Sequence, residues 1–135
     1  MLNAINILKD HKLKVTPARI HILELFSEHC KPMNVEDIAK KLHGADVVTV
    51  YRTLQTFEKL KIVQQVDLRK GSVFYELTDH HHHHIVCTDC GKVEEFELCV
   101  VPEIEKSILK KSKSFKHISE HSLELFGVCK ACVKQ

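Results

Sequence analysis

Asp46-Val-Val-Thr-Val-Tyr-Arg-Thr-Leu-Gln-Thr-Phe-Glu-Lys-Leu60 is the stretch on which the fold turns. Asp46 is suited to cap a helix, because a short acidic side chain accepts a hydrogen bond from the first free backbone N–H groups. Val50, Leu54, Phe57 and Leu60 then recur at helical spacing. Upstream, Thr16-Pro17 marks an earlier helix start, with proline where its missing N–H costs nothing. Ile20, Leu23 and Phe26 continue that helix as an apolar stripe, widened by Ile22 and Leu25. Asn34-Val-Glu-Asp37 starts another, with Val35, Ile38, Ala39 and Leu42 facing inward and Gly44 ending it. A short amphipathic segment, Asn3 to His11, precedes them all. Downstream, Ile62 to Asp67 and Ser72 to Leu77 read as two short strands around Arg69-Lys-Gly71. Three helices and a hairpin in this order describe a winged helix-turn-helix, with the third helix in the DNA major groove and the hairpin as wing.

The chain changes character near Asp79. Five histidines, His80 to His84, run into Cys87-Thr-Asp-Cys90, and a second pair, Cys129-Lys-Ala-Cys132, lies near the C-terminus. His84 to Thr88 and Val93 to Glu97 read as strands about the first cysteine turn. Pro102 to Lys113 reads as a helix with Ile104, Ile108 and Leu109 inward, and His117 to Phe126 as a further strand. The fold class is therefore α+β: a winged helix-turn-helix domain over residues 1–78, followed by a small α/β dimerisation domain over residues 79–135. A second copy is the cheapest cover for the exposed edge of so small a sheet.

Composition narrows the setting. The chain has 135 residues, 44% of them hydrophobic, enough for one ordinary core or two small ones. Met1 to Lys12 does not resemble a signal peptide, and no apolar run approaches the ~20 residues of a membrane span. A cytoplasmic protein that does not engage membranes is expected, and there six cysteines read better as ligands or thiols than as disulfides. Net charge is only +2. Residues 1–78 carry 12 Lys+Arg against 9 Asp+Glu, and residues 79–135 carry 8 against 9. The bias is weak but places the positive excess on the half expected to face nucleic acid.

Two C-x2-C turns separated by 38 residues can complete a tetrahedral sulfur site, the preferred geometry of structural zinc. The histidine run needs a separate account. On a strand, His82 and His84 share one face, and His81 and His83 the other. Two nitrogen-rich sites follow, with Glu76, Glu95, Glu103 or Glu105, and His121 near enough in sequence to complete them. Mixed imidazole and carboxylate ligands suit Zn, Fe(II), Mn(II) or Co(II). Cys99, in Glu-Leu-Cys-Val-Val, reads as a small core residue. Cys30 reads the same way, although His29-Cys30 could join a site between the domains.

Leu13-Lys-Val-Thr-Pro-Ala-Arg19, Val48-Thr-Val-Tyr-Arg-Thr-Leu54, Tyr75-Glu-Leu77, the histidine run, Ile85 through Phe96 and His121 through Cys132 together resemble the ferric uptake regulator family of metal-responsive repressors. The resemblance spans nearly the whole chain, in order. It implies a homodimeric, metal-dependent repressor of metal-homeostasis genes, with structural Zn2+ on Cys87, Cys90, Cys129 and Cys132. It implies a regulatory site at the hinge between domains on Glu76, His82, His84 and Glu95, taking Fe2+, Mn2+ or Zn2+. It also implies an additional site on His81, His83, Glu105 and His121, with Glu103 the alternative to Glu105. Lys14, Arg19, Thr49, Tyr51 and Arg52 would contact double-stranded DNA at an AT-rich palindromic operator, with higher oligomers on DNA an open extension.

The sequence departs from the family in places. Lys31-Pro-Met-Asn34 lacks the hinge histidine usual in iron- and peroxide-sensing members, for which His29 or Cys30 are substitutes. Glu76 stands where zinc-sensing members often have cysteine, which favours iron or manganese. Cys99 resembles a cysteine of some zinc-sensing members, which keeps a zinc uptake regulator as the alternative. A zinc hydrolase would need an open coordination position and a general base; it has no His-Glu-x-x-His motif here and leaves the DNA-binding half unexplained. A metal-buffering protein leaves the same half unexplained.

Overall fold

The computed structural model describes residues 3–29, 31–78 and 81–133. Cys30, Asp79 and His80, named above, lie outside the described residues. The chain divides into two compact units, Met1–His80 and His81–Gln135.

The first unit runs α1 (Ala4–Asp10), α2 (Pro17–His29), β1 (Met33–Asn34), α3 (Val35–Lys41), α4 (Val47–Lys59), β2 (Val63–Val66) and β3 (Phe74–Leu77). Local chemistry sets the helix starts. Asn3 accepts from the Asn6 backbone N–H at 3.0 Å, Asn34 from Asp37 at 2.8 Å and Asp46 from Val48 at 3.2 Å. Glu36 and Asp37 in the first turn of α3, with Lys40 and Lys41 in its last, complement the helix dipole. The link from α3 to α4 passes through His43 and Gly44, with φ of 50° and 90°. The left-handed region suits glycine, which has no Cβ to clash.

One apolar cluster holds the unit together. Leu8 of α1, Ile22, Leu23 and Phe26 of α2, Ile38 of α3, and Val50, Leu54 and Phe57 of α4 are all buried in it. Met33 and Tyr75 join from the sheet, where β1 pairs with β3. β2 and β3 form the expected antiparallel hairpin, with Val63 opposite Leu77 and Val66 opposite Phe74. Arg69 (φ 54°) and Gly71 (φ 83°) reverse the chain between them. Strand β1 makes this sheet three-stranded, in the order β1-β3-β2.

The second unit contains β4 (His83–Cys87), β5 (Val93–Phe96), α5 (Val101–Lys111) and β6 (Glu124–Gly127). β5 pairs antiparallel with β4, and β6 pairs parallel with β4 on its other side. Parallel neighbours require a crossover, and α5 lies within it. Two sequence expectations are corrected here. The strand expected over His117 to Phe126 is confined to Glu124–Gly127, because β4 is short and its ladder with β6 covers only His84 to Cys87. Ile104 and Ile108, expected inward, are 51% and 52% exposed, and α5 buries no residue. The reason is the size of the unit: its only buried hydrophobic residues are Val86 and Cys87, among the described residues. Among the described residues of one copy there is no core for α5 to face. No helix among the described residues is long and apolar enough to cross a membrane.

Candidate metal centres and nucleic-acid interface

The parallel pairing of β4 and β6 brings the two cysteine turns together. Cys87, the last residue of β4, sits opposite Gly127, the last of β6. Both strands therefore leave the sheet at the same end, and each turns there into its C-x2-C segment. The Thr88 N–H donates to the Gly127 carbonyl at 2.7 Å and locks the two exits side by side. One ligand atom from each of Cys87, Cys90, Cys129 and Cys132 falls within 4.8 Å of the others. Cys90 Sγ and Cys129 Sγ are 3.8 Å apart. A zinc ion with Zn–S bonds of ~2.3 Å sets a tetrahedral edge of roughly 3.8 Å, so the donor set fits that ion.

Backbone dipoles prepare the same cluster. The Cys90 and Cys129 N–H groups donate to Cys87 Sγ at 3.5 and 3.3 Å. They draw the Cys87 thiol down to about 6, which favours the thiolate a metal needs. Hydrogen bonding with Cys129 and Cys90 pushes Cys132 up to about 12. Four neighbouring thiols cannot all ionise without a cation among them, and a divalent ion supplies that charge.

A second group forms where β4 begins. His83 lies on β4, with His81 just before it on the same side; their rings are 4.6 Å apart. His121, three residues before β6, reaches them with ring centroids 5.1 Å from His81 and 5.4 Å from His83. Burial, and then the neighbouring His81 and His121, lower the pKa of His83 and so favour the neutral imidazole that can ligate. Glu105 of α5 contacts His121 through Nδ1 at 2.8 Å, whereas Glu103 is exposed. The fourth ligand-type atom in this group is Cys99 Sγ rather than a carboxylate oxygen. It lies 3.0 Å from His83 Nε2 and 3.6 Å from His121 Nε2. Cys99 is half-buried beside the histidines, not the small core residue its sequence context suggested. Its apolar neighbours hid this; the signals were an extra cysteine downstream of a histidine run and its resemblance to a cysteine of some zinc-sensing family members.

The opposite face of β4 carries the other pair. His82 and His84 are buried, with rings 4.9 Å apart. Glu95 of β5 pairs with His84 in register, and its Oε1 is 3.9 Å from His82 Nε2. Glu76 belongs to the first unit, where it is buried on β3 and accepts from Gln64 Nε2 at 2.8 Å. His29 ends α2 and is half-buried.

Helix α4 presents the candidate nucleic-acid face. Val50, Leu54 and Phe57 take its inner side, leaving Val48, Thr49, Tyr51 and Arg52 exposed. Tyr51 is 45% exposed and accepts from Gln55 Nε2 at 2.7 Å, so it is not a core residue. Valine and tyrosine side chains on an exposed helix face suit the methyl groups of thymine, and arginine suits guanine or phosphate. Lys14 is exposed, while Arg19 donates from Nη1 to the Lys14 carbonyl at 2.8 Å and braces the loop ahead of α2.

The sequence profile of the ferric uptake regulator family matches residues 10–126. A ferric uptake regulation protein of Vibrio parahaemolyticus is 39% identical over 128 residues, covering 90% of this chain and 85% of its own length. The crystal structure of the Vibrio cholerae ferric uptake regulator superposes with a TM-score of 0.76 at 38% identity, covering 94% of this chain and 100% of the other. The Pseudomonas aeruginosa ferric uptake regulator with manganese gives 0.76 at 30% identity, covering 96% and 99%.

Proposed function

The chain belongs to the ferric uptake regulator family, and from that premise we propose that it senses iron or manganese through Glu76, His82, His84 and Glu95. Membership makes it a metal-responsive transcriptional repressor that binds DNA as a dimer, and not an enzyme. Zinc is its structural metal, and iron, manganese or zinc its regulatory one. The observation that carries the choice among regulatory metals is the donor set. Glu76 is a buried carboxylate, Glu95 adds a second, and among the described residues the proposed set takes no sulfur. Oxygen and imidazole ligands suit Fe(II) and Mn(II), whereas a thiolate would favour zinc.

In this reading Cys87, Cys90, Cys129 and Cys132 hold the permanent zinc, which contributes to folding. A further ion sits on His81, His83 and His121, with Glu105 beside them. The sensing ion takes ligands from both units, so its binding changes the balance of conformations available to the DNA-binding halves. Residues 1–78 supply the winged helix and residues 79–135 the dimer contact. Ile104, Ile108, Leu98 and Val100 are exposed on and before α5 and offer the apolar surface a second copy would cover. Thr49, Tyr51 and Arg52 read an AT-rich palindrome, and Lys14 meets the DNA backbone with Arg19 bracing it.

A random duplex library offered to the untagged dimer tests this. One palindrome is expected to be enriched with buffered Fe(II) or Mn(II), and not with zinc held at picomolar free concentration. On that palindrome Arg52→Ala should cost about 1–3 kcal/mol of affinity, and Tyr51→Phe should weaken binding less. Enrichment at picomolar zinc makes the protein a zinc uptake regulator instead. Unchanged binding in both variants removes α4 from the DNA contact.

A further inference from the structure

We propose that Cys99 is a thiolate ligand of the additional site, completing a set of His81, His83, His121 and Cys99, and that Glu105 is a positioning residue rather than a ligand. The inference rests on the reading of that histidine group as an ion site and goes beyond it in naming the donors. Three observations carry it. Among the described residues, Cys99 Sγ and no carboxylate oxygen shares the 4.8 Å neighbourhood of the three imidazoles. Its distance of 3.6 Å from His121 Nε2 equals the edge, roughly 3.6 Å, of a tetrahedron with zinc–nitrogen and zinc–sulfur bonds of ordinary length. The shorter 3.0 Å to His83 Nε2 is a thiol–imidazole hydrogen bond, a contact that an ion seated between the two atoms would lengthen.

The third observation concerns Glu105. Its carboxylate contacts Nδ1 of His121 at 2.8 Å, the nitrogen turned away from Cys99. A carboxylate this close to one imidazole nitrogen favours the proton on that nitrogen and leaves the other nitrogen's lone pair free for a metal. His121 Nε2 is the atom nearer Cys99. Glu105 thus orients a ligand from behind. The loop from Glu97 to Val100, between β5 and α5, carries Cys99 into the group. It places a sulfur where a chain without this cysteine would need an oxygen.

Donor softness gives the consequence. Three imidazoles and a thiolate favour Zn(II) and Co(II) and discriminate against Mn(II). The chain would then hold two sulfur-containing sites that prefer zinc, the four-cysteine site tightly and the Cys99 site exchangeably, and one oxygen-rich site left to respond to a harder metal.

Cobalt(II) is the probe. The dimer is stripped of labile metal with its cysteine-bound zinc retained and counted, then titrated with cobalt without oxygen. A thiolate-to-cobalt charge-transfer band that grows without loss of zinc, and that depends on Cys99, reports this ligand. Cys99→Ser and Cys99→Ala should abolish that band, with dimerisation and far-ultraviolet dichroism checked in both. Glu105→Gln should keep the band and weaken cobalt binding by about ten- to a hundredfold, as for other groups that orient a ligand. A cobalt site whose spectrum is the same with and without Cys99, and which disappears in Glu105→Gln, would overturn the assignment in favour of a carboxylate ligand. Failure of His121→Ala to remove any cobalt would overturn the histidine site itself, a distinct failure visible in the same titration.

Discussion

Cys129→Ser is expected to lose the bound zinc and to unfold residues 81–133 while leaving the N-terminal unit folded. The asymmetry follows from where the core lies. Every member of the main apolar cluster, from Ala4 to Tyr75, belongs to the first unit. The second unit buries Val86, Cys87 and three histidines, and little else among the described residues. Apolar burial is worth only ~25 cal/mol per Å², so such a unit cannot offset its own chain entropy. A structural zinc ion contributes on the order of 10 kcal/mol in small domains of this kind. Serine removes one thiolate and leaves its three neighbours without the cation that lets them ionise together. The variant should show no retained zinc, a monomeric hydrodynamic size, loss of strand signal in circular dichroism and a preserved helical transition. A zinc-free variant that still dimerises and melts as the native protein does would mean that the cysteines are not what holds this half together.

His84→Ala is expected to abolish the metal response while leaving the cysteine site and the dimer intact. His84 is the most buried of the described histidines, at 1% exposure, and lies on the β4 face that it shares with His82 and, across the ladder, Glu95. If the metal-free protein is DNA-competent about 1% of the time, full occupancy raises its apparent operator affinity about a hundredfold. Without one imidazole, manganese binding should weaken enough that the gain shrinks to a few-fold or less. His82→Ala provides the second variant, since the two imidazoles face the same ion in this account. Manganese paramagnetic resonance measures the bound ion, and fluorescence anisotropy on the selected operator measures the response. A full metal response in both variants would sink the sensing assignment.

The reading of the sequence succeeded where periodicity or spacing carried the information. Asn34 and Asp46 cap the helices whose starts they mark, and Val50, Leu54 and Phe57 bury as one stripe. The hairpin forms around Gly71 because its turn needs a positive φ. Other features had no local signal. Strand β1 is only two residues long and exists because β3 offers it an edge. The apolar side of α5 looked like a core face, yet Ile104 and Ile108 are exposed in the single chain. A helical stripe specifies that a face is covered without saying by what. Likewise Cys99, expected in the core, lies among the histidines, while Glu105 contacts His121. Sequence supplies the donor types, while the loop between β5 and α5 decides which donor arrives.

The most direct test of the central claim, that metal occupancy governs DNA binding, is the operator affinity of one preparation measured twice. The untagged dimer, keeping its tightly held zinc and stripped of labile metal, is titrated with the selected palindrome without and then with buffered Mn(II), at fixed ionic strength because phosphate contacts are salt-sensitive. A rise in affinity of about a hundredfold is the expected result. Equal affinity in the two titrations, with manganese demonstrably bound, would contradict the account.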